Sequence, residues 1–570
     1  LNKSIGGVGV AVFAFALVAQ GSARAANPIR VTKPVQATAF DNAPARQYGT
    51  PDIAVDPENP LNLVATLPEL PTKHCGLMRS TDGGVKWARL DASPSTPSYP
   101  FCLMQGNSNV TQALLAFGRN HALYYAVDGW DTQDGDVNGS VFVGRSTDFG
   151  ATWATTMVRD NRPATDPKER DRPISGFAVD RRNGKADVVA VGWRYDPAGL
   201  DAPNGAPILP MVSVSTDGAR TFSPAVNLAA GAFDQDGRRA EALKSATTTS
   251  SPAPPTTSAE PTTTTTVPPG SKAATPNQAA NFGGSNPTVA FDSRGTLYAA
   301  WVSTSANITP APQFGHFLSK STDNGKTWTV TQISPFSADN TNGFNALHLV
   351  WSPAGGPDGS LNFVYEGSNR PKVANFTQVF HRRSTDGGKT WSDVKVLNDT
   401  DPAQLTYSGD PNISVAPNGR IDATWWDTRN DPGISANDVY YASSSDGGAT
   451  WSKNMRVTDR LIDRKIGVYA NNYDLAGPPG IASTDAYAFF GWDDTRAGDA
   501  VVNTQDVYVS SVQYKPISTG ASTTVKYLLA AVLGVLVVGL VLVVAAFTTR
   551  SRGRDREPGQ TPVPDQALVK

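Results

Sequence analysis

Ser384-Thr-Asp386-Gly-Gly-Lys-Thr-Trp391 is one of six copies of an octet spread through the chain. The others are Ser80-Thr-Asp82-Gly-Gly-Val-Lys-Trp87, Ser146-Thr-Asp148-Phe-Gly-Ala-Thr-Trp153, Ser215-Thr-Asp217-Gly-Ala-Arg-Thr-Phe222, Ser321-Thr-Asp323-Asn-Gly-Lys-Thr-Trp328 and Ser444-Ser-Asp446-Gly-Gly-Ala-Thr-Trp451. The third copy departs, with Ala219 at the usual Gly and Phe222 at the Trp. The chemistry of the octet is that of a fastening. Asp and Ser or Thr side chains bond backbone N–H groups two or three residues away, Gly accepts positive φ, and the aromatic buries a large surface beside the turn. The six aspartates, Asp82, Asp148, Asp217, Asp323, Asp386 and Asp446, therefore read as structural: a repeated fastening explains six copies, whereas an active site needs one.

A second repeat precedes each octet. An apolar strand is followed by a Gly/Asn/Asp/Pro turn and a second strand ending in an aromatic, as in Pro51-Asp-Ile-Ala-Val-Asp-Pro57, Pro287-Thr-Val-Ala-Phe-Asp292 and Pro411-Asn-Ile-Ser-Val415 with the strands that follow them. Seven such units occur, the second of them weak, over residues 110–130. Composition agrees with a turn-rich β-protein: of 570 residues 51 are Gly and 43 Pro, and only 18% are charged. Each unit reads as three strands, an octet turn and an outer strand, the blade of a propeller. The seventh unit has no octet, and its missing outer strand is expected at Ile29-Arg-Val-Thr-Lys-Pro34, which matches Met455-Arg-Val-Thr-Asp-Arg460 after the sixth octet. The expectation is an all-β, seven-bladed propeller closed by the N-terminal strand; six blades is the alternative if the second unit is aberrant.

The octet resembles the Asp-box, or BNR repeat, of the sialidase-like β-propellers, and the resemblance covers residues 29–514. In such a meander the octet turns and the inner-to-second-strand turns share one face of the disc, while second-to-third-strand loops and blade connections share the other. Function is expected on that loop face. Its loops repeat a theme: Trp426-Asp427-Thr-Arg429-Asn430, Trp492-Asp493-Asp-Thr-Arg496, Tyr365-Glu366-Gly-Ser-Asn-Arg370, Trp193-Arg194-Tyr-Asp196 and Trp130-Asp131. Aromatic rings cover sugar C–H faces, carboxylates accept hydroxyl hydrogens, and Arg holds a carboxylate in a bidentate pair. The other reading is that each Asp–Arg pair pins its own loop. The resemblance to sialidases implies an arginine triad, a Tyr–Glu nucleophile pair, an Asp acid and an early Arg-Ile-Pro motif. Thr50-Pro-Asp-Ile53 lacks that arginine, and Arg172-Pro173-Ile174 stands in the third unit. Arg370, Arg429 and Arg496 are candidate cations, with Tyr365 and Glu366 as the candidate catalytic pair.

The ends suggest an exported, anchored chain. Lys3, an apolar run and Ala23-Arg24-Ala25 have the order of a secretory signal over 1–25, and Leu1 fits a bacterial alternative start codon or a truncated chain alike. Residues 515–526 read as a stalk, and 527–547 as 21 uncharged residues long enough to span a bilayer. Arg550, Arg552, Arg554 and Arg556 then place the tail, 548–570, in the cytoplasm by the positive-inside rule, with the propeller outside. The Thr/Pro-rich tract 241–280 has no periodic apolar face and reads as a disordered insertion. Cys75 and Cys102 are expected to form a disulfide.

Asp134-Gly-Asp136-Val-Asn138-Gly139 matches half of a calcium loop, with Arg145 at the twelfth position, so calcium is an expected option and an EF-hand is not. No other cofactor is called for. The formal net charge of -2 gives no field to attract nucleic acid. The expected partner is a glycan or another cell-surface ligand, bound or, in the alternative, hydrolysed as an exo-α-sialidase would do; a protein-interaction scaffold is the third reading.

Overall fold

A proline stands at the start of the inner strand in five units, at Pro51, Pro173, Pro287, Pro411 and Pro479. It has no N–H for the ladder, so the strand slips there. The computed structural model shows register shifts between Asp171 and Ile174, Ser285 and Thr288, and Gly409 and Asn412. The structure describes residues 28–514 except 44–45, 70–73, 91–112, 130–139, 161–169, 183–185, 197–207, 231–264, 268–283, 306–312, 338–346, 371–372, 374–375, 402, 432, 434, 468–476 and 499–500, and beyond these only 539, 542 and 543.

Seven antiparallel sheets follow in chain order, each a blade. From inner to outer strand, blade one holds Ile53–Val55, Leu63–Glu69, His74–Ser80 and Ala88–Leu90. Blade two, the weak unit, holds Leu114–Phe117, Leu123–Gly129, Ser140–Ser146 and Ala154–Arg159, which settles seven blades against six. Blade three runs from Arg170–Asp180 to Val226–Asn227, blade four from Gly284–Phe291 to Trp328–Ser337, and blade five from Leu347–Ser352 to Lys395–Val396. Blade six runs from Ser408–Val415 to Met455–Arg456, and blade seven holds Gly480–Ser483, Tyr487–Asp494 and Asp506–Tyr514.

The N-terminal segment closes the ring. Pro28–Val31 and Val35–Gln36 both pair with Asp506–Tyr514. The sequence match that suggested this closure is out by six residues. Ala37 donates its N–H to Val507 as Val457 does to Val439, and Thr38 bonds Asp506 as Thr458 bonds Asp438. The counterpart of Met455-Arg-Val-Thr458 is therefore Val35-Gln-Ala-Thr38. Blade seven has no octet turn before its outer strand, so the N-terminal segment is free to pair along the whole of Asp506–Tyr514, and residues 28–31 occupy the part that an octet takes elsewhere.

The octets act as fastenings. In the box at 384–391, Ser384 donates to Asp386 at 2.8 Å and accepts from Gly388 N at 2.9 Å, while Asp386 accepts from both N and Oγ1 of Thr390. These bonds hold the Asp386 carboxyl below its ordinary pKa against a desolvation cost that acts the other way. In the irregular third box Ala219 adopts φ 62 and still donates to Ser215. Trp87, Trp153 and Trp328 close their boxes by donating Nε1 to Gly84, Gly150 and Gly325. The core lies between neighbouring blades: Val214, Trp301, Phe317 and Trp328 join blades three and four, and Tyr441, Ile481, Phe490 and Trp492 join six and seven.

Thr265–Val267, inside the tract expected to be disordered, form a fifth strand on the outer edge of blade four. That edge offers unpaired backbone groups, and Thr and Val suit a strand. No helix among the described residues is long and apolar enough to cross a membrane. Of the expected span 527–547, only Gly539, Leu542 and Val543 are described, with helical backbone. The signal segment 1–25 and the tail 548–570 lie outside the described residues.

Candidate functional site

The predicted loop-face arginines are clamps. Arg429 donates to Asp427 (Nη2, 2.7 Å) and to Asp399 in the connection leaving blade five (Nη1, 2.7 Å), and stacks on Tyr440 at 4.0 Å. Arg496 repeats this with Asp494 (2.7 Å), Asp459 leaving blade six (2.7 Å) and Tyr508 at 4.2 Å. Burial opposes the charge of each guanidinium, yet the hydrogen bonds to Asp427 and Asp494 hold both pKa values above the ordinary one. Each clamp ties a blade's second-to-third-strand loop to the connection from the preceding blade.

The clamp also corrects the alignment of the two loops. Trp425 Nε1 donates to Asp427 and Trp492 Nε1 to Asp494, so the motif is Trp-x-Asp-Thr-Arg. Trp426 and Asp493 share the x position. Trp426 is buried and donates to Gly477 O, while Asp493 is buried and accepts from Thr50 and Gln505. The adjacent Trp-Asp pairs, read in sequence as equivalent, differ by one residue and hence by one side of the sheet. Trp426, Trp492, Asp427 and Asp493 thus belong to the scaffold.

Tyr365 is 1% exposed and packs on His316, Phe363 and Phe380, with ring centroids 4.4 Å away at His316. It belongs to the core between blades four and five and does not serve as a surface nucleophile. Arg370 stacks on Phe376 at 4.8 Å. None of Tyr365, Glu366, Arg370, Arg429 and Arg496 lines the axial cavity.

Glu366 finds a different tyrosine. At the loop-face end of the second strand of blade five, its Oε2 accepts from Tyr407 Oη at 3.2 Å and from Asp410 N at 3.3 Å. The same Tyr407 hydroxyl lies 3.2 Å from Asp410 Oδ2. Asp410 has φ 48, a left-handed conformation that Asp tolerates better than most residues, and it sits in the register slip before Pro411. Arg464, from the connection between blades six and seven, lies over the Tyr407 ring at 5.7 Å. All four side chains are part-exposed. Tyr407, Asp410 and Arg464 escaped the sequence reading. The available signal was Pro411: in blades three, four and six the repeated proline marks where the inner strand slips.

Other predicted sites lie beyond view. Asp134, Asp136, Asn138 and Cys102 lie outside the described residues, as does the side chain of Cys75. Among the described residues no group of His, Cys, Asp or Glu has the arrangement to hold a metal ion.

Residues 263–471 match the family model of the BNR repeat-like domain. No curated protein matches the chain. Solved structures of similar shape include an α-L-arabinanase of Penicillium chrysogenum complexed with arabinobiose, at 13% identity, covering 73% of this chain and 98% of that one with a TM-score of 0.39. A Dyadobacter fermentans protein of unknown function is similar at 11% identity over 85% of this chain and 99% of its own, TM-score 0.41. A Hadza microbial sialidase is similar at 13% identity over 81% and 74%, TM-score 0.39. Six Asp-box turns fasten the seven blades, and the BNR repeat-like match spans blades four to six, so the chain is a seven-bladed β-propeller that carries a BNR repeat-like domain.

Proposed function

We propose that this propeller recognises carbohydrate through its loop face, at the cluster of Tyr407, Glu366, Asp410 and Arg464. The observation that carries the reading is one part-exposed tyrosine hydroxyl shared by two carboxylates, with a guanidinium over its ring. An aromatic face beside carboxylate acceptors is the chemistry that holds a sugar. The apolar span 527–547 would anchor the chain with the propeller on the outer side of the membrane, and 134–139 would offer a calcium turn.

A second reading, glycoside hydrolysis, is favoured by the carboxylate spacing. Both oxygens lie 3.2 Å from the Tyr407 hydroxyl, so they stand no further apart than twice that distance. That is shorter than the roughly 6.5–9.5 Å of inverting glycosidases and admits the roughly 5–5.5 Å of retaining ones. Sialoside hydrolysis through Arg429 and Arg496 is disfavoured, because each already holds two carboxylates.

The test is a glycan array probed with the purified chain and with Tyr407→Phe and Glu366→Gln, alongside release of a fluorophore from aryl glycosides. Saturable binding that both variants lose supports recognition, and turnover that both lose supports the enzyme. Binding that survives in both variants places the site elsewhere.

A further inference from the structure

The axis of the propeller holds a well distinct from the loop-face cluster. Neighbouring inner strands are stapled near their loop-face ends. Asp52 Oδ2 accepts from Leu115 N at 2.7 Å, Ser175 donates to Pro287 O at 3.2 Å, Thr288 accepts from Leu349 N at 3.3 Å, and Asn412 donates to Pro479 O at 3.1 Å. A cavity of 1210 Å³ begins at this ring, where Asp52, Ser175, Thr288, His348 and Asn412 line it. The residues immediately before the ring, Pro51, Pro287, Pro411 and Gly480, do not line it. From there it runs to the Asp-box face, where Pro57, Arg182, Pro353 and Asp485 line the mouth. Between floor and mouth the wall is largely apolar, with Val55, Ala116, Phe177, Phe291, Val350 and Val415.

Asp52 is the anomaly in this well. It is a carboxyl group enclosed among apolar strands, and among the described residues no cationic side chain pairs with it. Burial raises it to about 7, and hydrogen bonds from Leu115 and Ile53 offset this only in part. His348, on the other side of the ring, is brought down by burial to about 4 and is a neutral imidazole at pH 7. A carboxylate among apolar neighbours ordinarily has a cation or a full set of donors, and Asp52 is part-exposed to the cavity; an apolar pocket with a few convergent polar groups is the usual form of a small-molecule site.

We infer that the axial well is a second ligand site, taking a cationic amphiphile whose apolar body lies along the inner strands and whose ammonium group meets Asp52 at the floor. The apolar wall supplies the attraction common to any hydrocarbon, and the carboxylate supplies the discrimination. An alcohol of the same length has only a hydrogen bond to offer, and a fatty acid would bring like charge to Asp52.

The experiment is calorimetric titration of the purified chain with octylamine, 1-octanol and octanoate. Octylamine is expected to bind at least about tenfold more tightly than the other two, a difference of about 1.4 kcal/mol. Asp52→Asn keeps an oxygen for the Leu115 N–H and so keeps the staple; in it the preference for the amine should vanish while weak binding of all three remains. Ala116→Trp fills the well and should abolish binding of all three, with the far-ultraviolet circular dichroism of both variants unchanged. Equal affinity for octanol or octanoate, a preference that survives Asp52→Asn, no binding of octylamine, or undiminished binding in Ala116→Trp would each overturn the proposal.

Discussion

Arg420 holds Asp422 through three hydrogen bonds of 2.9 to 3.1 Å, and neither side chain meets solvent beyond 4%. The pair lies between blades six and seven. Arg420 also donates to the carbonyls of Thr484, Asp485 and Tyr487 in blade seven and stacks on Tyr514 at 3.8 Å, while Asp422 accepts from Tyr441.

Removing one partner leaves a buried charge, which ordinarily costs about 3–5 kcal/mol. Asp422→Ala is expected to lose that much in urea unfolding. An apolar replacement of both, Arg420→Met with Asp422→Leu, should not restore stability, because three carbonyls of blade seven lose their donor. Full recovery in the double variant would show that the interblade bonds contribute nothing.

The clamps at Arg429 and Arg496 make a different prediction. If they are scaffold, Arg429→Ala and Arg496→Ala should each lower stability by about 1.5–3 kcal/mol, the usual range for hydrogen bonds to charged groups. Arg→Lys should rescue little, since one ammonium cannot bridge two carboxylates and stack on a ring as the planar fork does. Glycan affinity measured well below the melting transition should be unchanged; a specific loss of affinity at full stability would return these arginines to the binding site.

On the Asp-box face, His121 of blade two lies 2.6 Å from Asp56 of blade one and 3.8 Å from Glu58. The hydrogen bond to Asp56, and then its charge, raise the imidazole's pKa above the ordinary value. A group whose folded pKa is raised stabilises fully below its unfolded pKa of about 6.5 and loses that contribution as pH rises through the folded value. The melting temperature of the parent chain should therefore exceed that of His121→Gln at pH 5.5, and the gap should close in alkaline buffer. A gap that widens with pH would contradict the ion pair.

Two neighbouring glycines of one Asp-box separate backbone strain from packing. Both Gly387 and Gly388 have positive φ, 71 and 85. A Cβ at Gly387 meets only the flexible end of Lys320 and the Tyr298 hydroxyl beyond 3.1 Å, whereas at Gly388 it would lie 2.1 Å from Leu318 Cδ2. Gly387→Ala should cost about 1–2 kcal/mol for the left-handed backbone. Gly388→Ala should add about 1–3 kcal/mol for overpacking. Equal losses in thermal unfolding would refute the assignment.

Much of the architecture is legible because it is local and repeated. An octet whose bonds all close within eight residues announces its turn wherever it stands, and seven strand pairs around six such turns leave one outer strand to be found elsewhere in the chain. The N-terminal segment was recognisable as that strand, but its register was not. Val35-Gln-Ala-Thr38 resembles Met455-Arg-Val-Thr458 less in letters than Ile29-Arg-Val-Thr32 does, and only the bonds of Ala37 and Thr38 to blade seven decide between them.

The site is another matter. Its residues come from successive blades and stand 41 or more positions apart in the chain, except for the near neighbours Tyr407 and Asp410. Glu366 was visible as a candidate, yet its partner is Tyr407, 41 positions on, in place of the adjacent Tyr365. Alternation along a strand sends Tyr365 and Glu366 to opposite sides of the sheet, and the slip at Pro411 turns Asp410 toward Glu366. By itself the sequence determined the propeller architecture, the fastenings and the closing segment, because short-range hydrogen bonds and strand periodicity specify them, while the second blade's sheet decided seven blades against six. Which arginines are clamps, which tyrosine meets the glutamate, and that Asp52 stands uncompensated in the axial well were decided by tertiary structure alone, since each depends on contacts between blades.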